Sequence, residues 1–395
     1  MTDFAFLGSL RRWPDVEAPH LVAVDAADRL LLDTAAPVVR AAPPGPTVAV
    51  IGDSYGALTF GAYELGARGI RVHQDPLLGE RALAANATRL ENTEFVSLGL
   101  VPELVAGAAV VLLRLPKSLE QLDEWAALIA EHAAPEVVVL AGGMVKHMTL
   151  AQNEVLGRWF GEVSAGLARQ KARVITARTS LSGPGSLIDA SASAARLDRT
   201  AAERRPSPWP RTAVIDPPGI TISAHGGVFA GASLDIGTRF LLDHLADANP
   251  RAATAIDLGC GTGILAAALA KARPALRVLA SDQSAAAVAS ARETMKLNRL
   301  DDRVTVARDD ALASLPDASA ELIVLNPPFH SGTTVTADVG IRLIADAARV
   351  LAPGGELRVV FNSHLRYQPT LRRLVGETRQ VARNSKFTIT SSVRA

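Results

Sequence analysis

A single cysteine, Cys260, stands among 395 residues. No intrachain disulfide can close and no zinc site built from several thiolates can form, so a reducing, cytoplasmic setting is expected and a resident metal is not. No uncharged apolar run reaches the roughly 18 residues a membrane-spanning helix needs. The N-terminal MTDFAFLGSLRRWPD lacks the basic start and sustained apolar stretch of a secretory leader. Neither membrane insertion nor secretion is expected. Excess charge is missing too: 41 Lys+Arg against 40 Asp+Glu leave +1, which excludes holding nucleic acid by bulk charge and leaves that task to local basic patches. Aromatic residues are only 4%, too few for an extended base-stacking platform.

What the chain has is alternation. From about residue 46, short β-branched runs alternate with Ala/Leu-rich stretches, the pattern of parallel strands joined by crossover helices, so the fold class is α/β. One set of runs is TVAVIG (47–52), IRVHQ (70–74), AAVVLLR (108–114), PEVVVLA (135–141) and ARVITAR (172–178). A second is ATAIDLG (253–259), LRVLASD (276–282), DRVTVAR (302–308), ELIVLN (321–326), GELRVVF (355–361) and KFTITSS (386–392). Between them the proline-rich end of 181–211 marks a boundary, dividing the chain into domains 1–205 and 206–395. The halves repeat. Gly52 and Gly56 precede Gly259 and Gly263 by 207 positions, Asp75 precedes Asp282 by the same 207, and VLLRLPKS stands opposite IVLNPPFH after a further shift of five. Two tandem Rossmann-like domains related by duplication account for this. Where the second copy has Asp257, Gly261 and NPPF, the first has Val50, Ser54 and RLPK, so the first is expected to keep the fold without the active site.

IDLGCGTGIL places Gly259, Gly261 and Gly263 between an apolar strand and a helical run. Glycines there permit the turn and let a ligand approach the main chain. The spacing is G-x-G-x-G with an acid two residues ahead, not the dinucleotide pattern G-x-G-x-x-G. This favours S-adenosylmethionine, whose ammonium Asp257 could help orient, over NAD, whose pyrophosphate it would repel. Asp282 ends the next strand, where a carboxylate can accept ribose hydroxyls. Asp309 and Asp310 follow the third strand as acceptors for an adenine amine, with Asp310 preferred. NPPFH (326–330) closes an apolar strand at its carboxyl end, the edge where open α/β sheets bind ligands. An exocyclic base amine is a poor nucleophile because its lone pair is delocalised into the ring. The Asn326 side-chain oxygen and the Pro327 carbonyl can each accept one N–H, Pro328 stiffens the turn, and Phe329 can stack on an unpaired or flipped base. His330 is open between positioning the base and packing, and Cys260 is read as a small loop filler.

These motifs resemble the rRNA guanine-N2 methyltransferases of the RsmC/RlmG type, which carry two tandem class I methyltransferase domains with N-P-P-F-H in the C-terminal one. The resemblance takes in DLGCGTG, SDQS, NPPFH, APGGELRVV and the upstream HGGVFAGASLDIGTRFLL (225–242). VLLRLPKSLEQL and NSHLRYQP…NSKF look more like the large-subunit (23S) branch than the 16S one. The resemblance implies that Phe229, Asp235 and Gly237 border the cofactor, that Asn326 to Phe329 hold the guanine, and that the partner is ribosomal RNA or a ribosomal assembly particle. AGAS (230–233) departs from the polar S-R-x-G usual there. Arg366, Arg372, Arg373, Arg379, Arg383, Lys386 and Arg394, with Arg196, Arg199, Arg204, Arg205 and Arg211, could line a phosphate path. Rival readings are a methyltransferase acting on adenine N6 or on a glutamine amide, which presents the same amine problem, a small-molecule methyltransferase, and a non-catalytic RNA-binding protein.

Overall fold

The computed structural model describes residues 4–179, 206–327 and 334–395. They fall into two compact units, Met1–Trp209 and Pro210–Ala395. Unit 1 holds β1 (Val48–Ile51), β2 (Ile70–His73), β3 (Phe95–Ser97), β4 (Val110–Arg114), β5 (Val138–Met144), β6 (Glu162–Ala165) and β7 (Ala172–Arg178). Unit 2 holds the hairpin β8 (Arg211–Ile215) and β9 (Ile220–Ala224), then β10 (Thr254–Leu258), β11 (Arg277–Asp282), β12 (Val304–Arg308), β13 (Ala320–Leu325), β14 (Leu351–Asn362), β15 (Gly376–Arg383) and β16 (Phe387–Arg394). The two main sheets have the same permutation, β3-β2-β1-β4-β5-β7-β6 and β12-β11-β10-β13-β14-β16-β15. Each unit is a Rossmann-like class I methyltransferase fold, and the chain is a duplication of it.

Strands buried on both faces need apolar side chains at every position, which is why β1 reads VAVI without alternation. Val48 and Val50 enter one core while Ala49 and Ile51 enter the other. In unit 2 Ala255 faces one core and Ile256 and Leu258 the opposite one. Asp257 stands among them as the one acid of the strand, and that position puts it under the loop that follows.

Two expectations change. In each sheet one strand, β7 or β16, runs antiparallel to both of its neighbours, because it returns from the edge strand β6 or β15 as a hairpin, which needs no crossover helix. The strands β3, β6, β8, β9 and β15 were not legible as apolar runs. EVSA of β6 and GETRQVAR of β15 are mostly solvent-facing edge strands, and an edge needs little apolar surface to pair on one side. The fifth strand is shifted from 135–141 to Val138–Met144, running through a Gly142-Gly143 pair that reads as a break in sequence.

The β8–β9 hairpin is held by a spacing match. Backbone N–H groups of Thr221, Ser223 and His225 donate to Asn298 Oδ1 (3.1 Å), Thr294 Oγ1 (2.9 Å) and Ser290 Oγ (3.0 Å) on the helix Ala285–Leu297 and its C-cap. Two strand residues advance about 6.6 Å and four helix residues about 6.0 Å, so one polar stripe satisfies the outer edge of β9. The chain after β9 leads on to Asp235 and the helix Ile236–Leu242.

Candidate active site

The glycine loop leaves β10 and enters the helix Ile264–Ala272 with Gly259, Gly261 and Gly263 at φ of 70°, 54° and 78°, all in the left-handed region. They serve different ends. A Cβ built on Gly259 or Gly261 meets nothing within 4 Å among the described residues, whereas one on Gly263 lies 2.8 Å from Met295 Cε and 3.0 Å from Ala291 Cβ. The first two leave room above the loop; the third lets two helices pack. Asp282 pins the loop, its Oδ2 accepting from Gly261 N at 3.0 Å and its Oδ1 from Ser284 N at 2.9 Å.

Asp257 lies below this loop with no solvent exposure. Its Oδ2 accepts from Ala266 N in the first helical turn at 3.0 Å, and its Oδ1 has no hydrogen-bond partner among the described residues. Burial pushes this carboxyl up to about 7, against the Ala266 N–H and with the charge of Asp282 adding to the rise. An acid held this way is poised for a donor or a cation. Cys260 is buried, and burial raises its thiol well above the ordinary range, which disfavours the nucleophilic thiolate.

At the carboxyl end of β13, Asn326 donates from Nδ2 to Thr238 Oγ1 at 2.8 Å and to Asp235 Oδ2 at 3.3 Å. Asp235 is the N-cap of the helix Ile236–Leu242, its Oδ2 also accepting from Gly237 N and Thr238 N. Asn326 Oδ1 is buried and has no partner among the described residues. A Cβ on Gly237 would sit 3.0 Å from Asp235 Oδ2, 3.2 Å from Phe387 Cε1 and 3.6 Å from Asn326 Nδ2, so glycine there permits the close approach of these groups. The structure thus brings Asp235 and Gly237 to Asn326. Thr238 is a residue that sequence reasoning missed; the signal was its place three residues after the N-cap, where a side chain faces the same side as the cap.

Asp309 spends its carboxylate on Ser314 N (2.9 Å), Ser314 Oγ (2.7 Å) and Asp310 N (2.8 Å). Asp310 is ion-paired with Arg342, a partner absent from the sequence reading. Phe229 is 53% exposed in the turn before Asp235. Pro327 is buried, while Pro328, Phe329 and His330 lie outside the described residues, as do Arg196, Arg199, Arg204 and Arg205. Arg366, Arg372, Arg373, Arg379, Arg383 and Lys386 are exposed, but Arg394 donates to the Arg349 carbonyl at 3.0 Å and also to that of Leu351.

Unit 1 shows the same places filled differently. Strand register pairs Ile51 with Leu113 and Leu258 with Leu325, so Arg114 occupies the station of Asn326. Asp25, the N-cap of Ala26–Ala41, stands where Asp235 stands, and Asp28 where Thr238 stands. Arg114 pairs with Asp25 Oδ1 and Oδ2 (2.9 and 3.0 Å) and with Asp28 Oδ1 (3.0 Å). A Cβ on Gly52 lies 3.3 Å from Arg114 Cβ and 3.4 Å from Trp125, where the Gly259 counterpart is open. Asp53, at the Cys260 position, folds inward to accept from Thr59 N, Thr59 Oγ1 and Gly56 N.

Together the sheet order, the open glycine loop and the strand-end asparagine define a duplicated class I methyltransferase. A family model for the methyltransferase small domain matches residues 219–391, and one for the RLMG N-terminal domain matches residues 2–181. The ribosomal RNA large subunit methyltransferase G of Streptomyces coelicolor is 34% identical over 98% of this chain and 97% of its own length. That of Pseudomonas aeruginosa is 36% identical over 98% and 97%. The chain belongs to the ribosomal RNA large subunit methyltransferase G family. Among solved structures, the T. thermophilus 16S rRNA N2 methyltransferase RsmC, in complex with AdoMet and guanosine, superposes with a TM-score of 0.70 at 20% identity over 94% of this chain and 92% of that one. This likeness extends the shared fold across both units.

Proposed function

We propose that this protein methylates the exocyclic N2 of a guanine in ribosomal RNA, that of the large subunit, with S-adenosylmethionine as donor. The observation that carries the reading is the Asn326 amide: its nitrogen is held by Asp235 and Thr238, and its buried oxygen is left without a partner among the described residues. An unmet buried acceptor is costly, and an incoming amine N–H meets it. Pro327 offers a main-chain carbonyl beside it, so two acceptors can draw the two protons of an amine away from the face that reacts.

The residues fit the donor. The open space over Gly259 and Gly261, the unpartnered Asp257 Oδ1 and the acceptors Asp282 and Asp310 suit a ligand that bears an ammonium, ribose hydroxyls and an adenine amine. Phe229, in the turn before Asp235, would cover it. When bound, S-adenosylmethionine supplies a methyl group on a sulfonium sulfur; transfer breaks that C–S bond, forms C–N, and releases one amine proton. Asn326 needs no change of protonation to do its part. Among the described residues no cluster of three or more His, Cys, Asp or Glu could hold a metal, and no helix is long and apolar enough to cross a membrane. A cytoplasmic location accords with the substrate.

Unit 1 is assigned to RNA contact rather than chemistry. Support comes from the filled glycine loop, from Arg114 in place of the asparagine, and from a cavity of about 350 Å³ at the ends of β4 and β5 edged by Lys117, Lys146 and His147. Transfer of labelled methyl groups to rRNA from cells lacking the protein tests the reading, with DNA and a release factor as separate arms. Asn326→Ala is expected to lower turnover roughly a hundredfold or more with S-adenosylmethionine affinity within twofold. Label appearing on DNA or the release factor instead of guanine N2 would replace the substrate, and full turnover by the variant would reject the role of Asn326.

A further inference from the structure

We propose that Thr238 is a positioning residue whose hydroxyl, with the Asp235 carboxylate, sets which way the Asn326 amide faces; the inference rests on the methyltransferase reading above. An asparagine side chain can rotate by half a turn and exchange its oxygen for its NH2. In one orientation the corner offers an acceptor to the substrate amine. In the other it offers two more N–H donors, which repel the amine and leave its lone pair in the ring. The corner therefore works only if something distinguishes the two ends of the amide.

Asp235 supplies the sign. Its Oδ2 already accepts from two backbone N–H groups, and an ionised carboxylate oxygen can only accept. The amide atom that faces it must therefore be the nitrogen. At 3.3 Å that contact is long, and it does not fix the place of the amide by itself. Thr238 supplies the place: its hydroxyl can accept as well as donate, and it takes the same nitrogen at 2.8 Å. The two acceptors converge on Nδ2 and leave Oδ1 as the opposite end of the amide, buried and unpartnered among the described residues.

The first unit gives independent support. The same two stations carry Asp25 and Asp28, and the residue they grip is Arg114, a side chain with donors only. A hydroxyl and a carboxylate hold an amide, and two carboxylates hold a guanidinium. In both copies the N-cap residue and the residue three positions on act as one clamp on the residue that ends the neighbouring strand.

The test compares Thr238→Val, which keeps the shape and removes the acceptor, with Thr238→Ser, which keeps the acceptor. Thr238→Val is expected to lower kcat roughly ten- to hundredfold while KM for RNA and S-adenosylmethionine affinity by calorimetry stay within twofold, and Thr238→Ser to restore most of the loss. In a double-mutant cycle, Thr238→Val added to Asn326→Ala should cost nothing further, since the group it orients is gone. The amide proton signals of Asn326 should broaden or exchange faster in Thr238→Val, a readout that needs no activity. A valine variant with wild-type kcat and an unchanged Asn326 signal overturns the clamp. Equal losses in both Thr238 variants also overturn it, because they point to general damage at that position. A wild-type protein that transfers no methyl group to any acceptor refutes the functional reading instead, and the Asn326 signal still decides the clamp.

Discussion

Asp257 shows how one residue carries both a liability and a use. A carboxyl whose folded pKa is raised from its ordinary value to about 7 binds more protons folded than unfolded in that interval, so stability falls as pH rises from about 4 to 7. Below about pH 4 both states are protonated and the penalty vanishes; above about 7 it is fully present. Asp257→Asn is therefore expected to raise the melting temperature of the ligand-free protein at pH 8 and to leave it nearly unchanged at pH 4, as read by thermal unfolding in both buffers. The same substitution should weaken S-adenosylmethionine binding at pH 8, because the charge that destabilises the empty protein is the one a bound ammonium would neutralise. Opposite effects of one mutation on stability and affinity are the mark of a site residue rather than a core residue.

Elements bring these residues together by matching spacings. The outer edge of β9 is satisfied by Ser290, Thr294 and Asn298, one helical stripe against alternate strand positions. Thr294→Val removes the acceptor for a buried Ser223 N–H and is expected to cost about 1–3 kcal/mol in urea unfolding, with a larger effect on turnover than Asn298→Ala, since Thr294 lies in the middle of the stripe. The glycine loop divides in the same physical terms. Gly263→Ala adds a clash with Met295 and Ala291 to the left-handed strain, whereas Gly259→Ala adds only the strain, roughly 1–2 kcal/mol. The expected order reverses between measurements: Gly263→Ala loses more stability, while Gly259→Ala, whose methyl enters the open space, loses more S-adenosylmethionine affinity relative to its stability cost.

At the scale of the whole molecule, duplication supplies two sheets of one permutation and lets their sites diverge. Calorimetry on the intact chain is expected to find one S-adenosylmethionine per chain, abolished by Asp257→Arg; a second site of similar affinity would contradict the assignment of unit 1. Lys117→Ala with Lys146→Ala should weaken RNA binding and steepen neither S-adenosylmethionine affinity nor its salt dependence. The duplication was legible because two motifs kept a common offset of 207 positions. The repeat of Asp235 in Asp25 lies off the common offset: VDAADRLLL and LDIGTRFLL share the acid, the arginine Arg29/Arg239 and two leucines, but at 210 positions rather than 207. Only the paired geometry, an N-cap touching a strand end in each unit, makes that match visible.

The sequence by itself determined the α/β alternation, the repeat, the glycine loop and the strand-end asparagine, because each is a local pattern: a period, a run or a residue at a fixed distance from another. It also carried enough identity to place the chain in its family. Edge strands were lost to it because pairing along one side demands hydrogen bonds, not apolar side chains. The tertiary structure alone decided which end of the Asn326 amide lacks a partner among the described residues, that Asp235 and Thr238 grip its nitrogen from 91 and 88 residues away, that Arg342 reaches Asp310, and that among the described residues Gly263 packs where Gly259 stays open. Those are contacts between distant segments, and the forces that set them, desolvation and the pairing of buried polar groups, depend on what surrounds a residue in space.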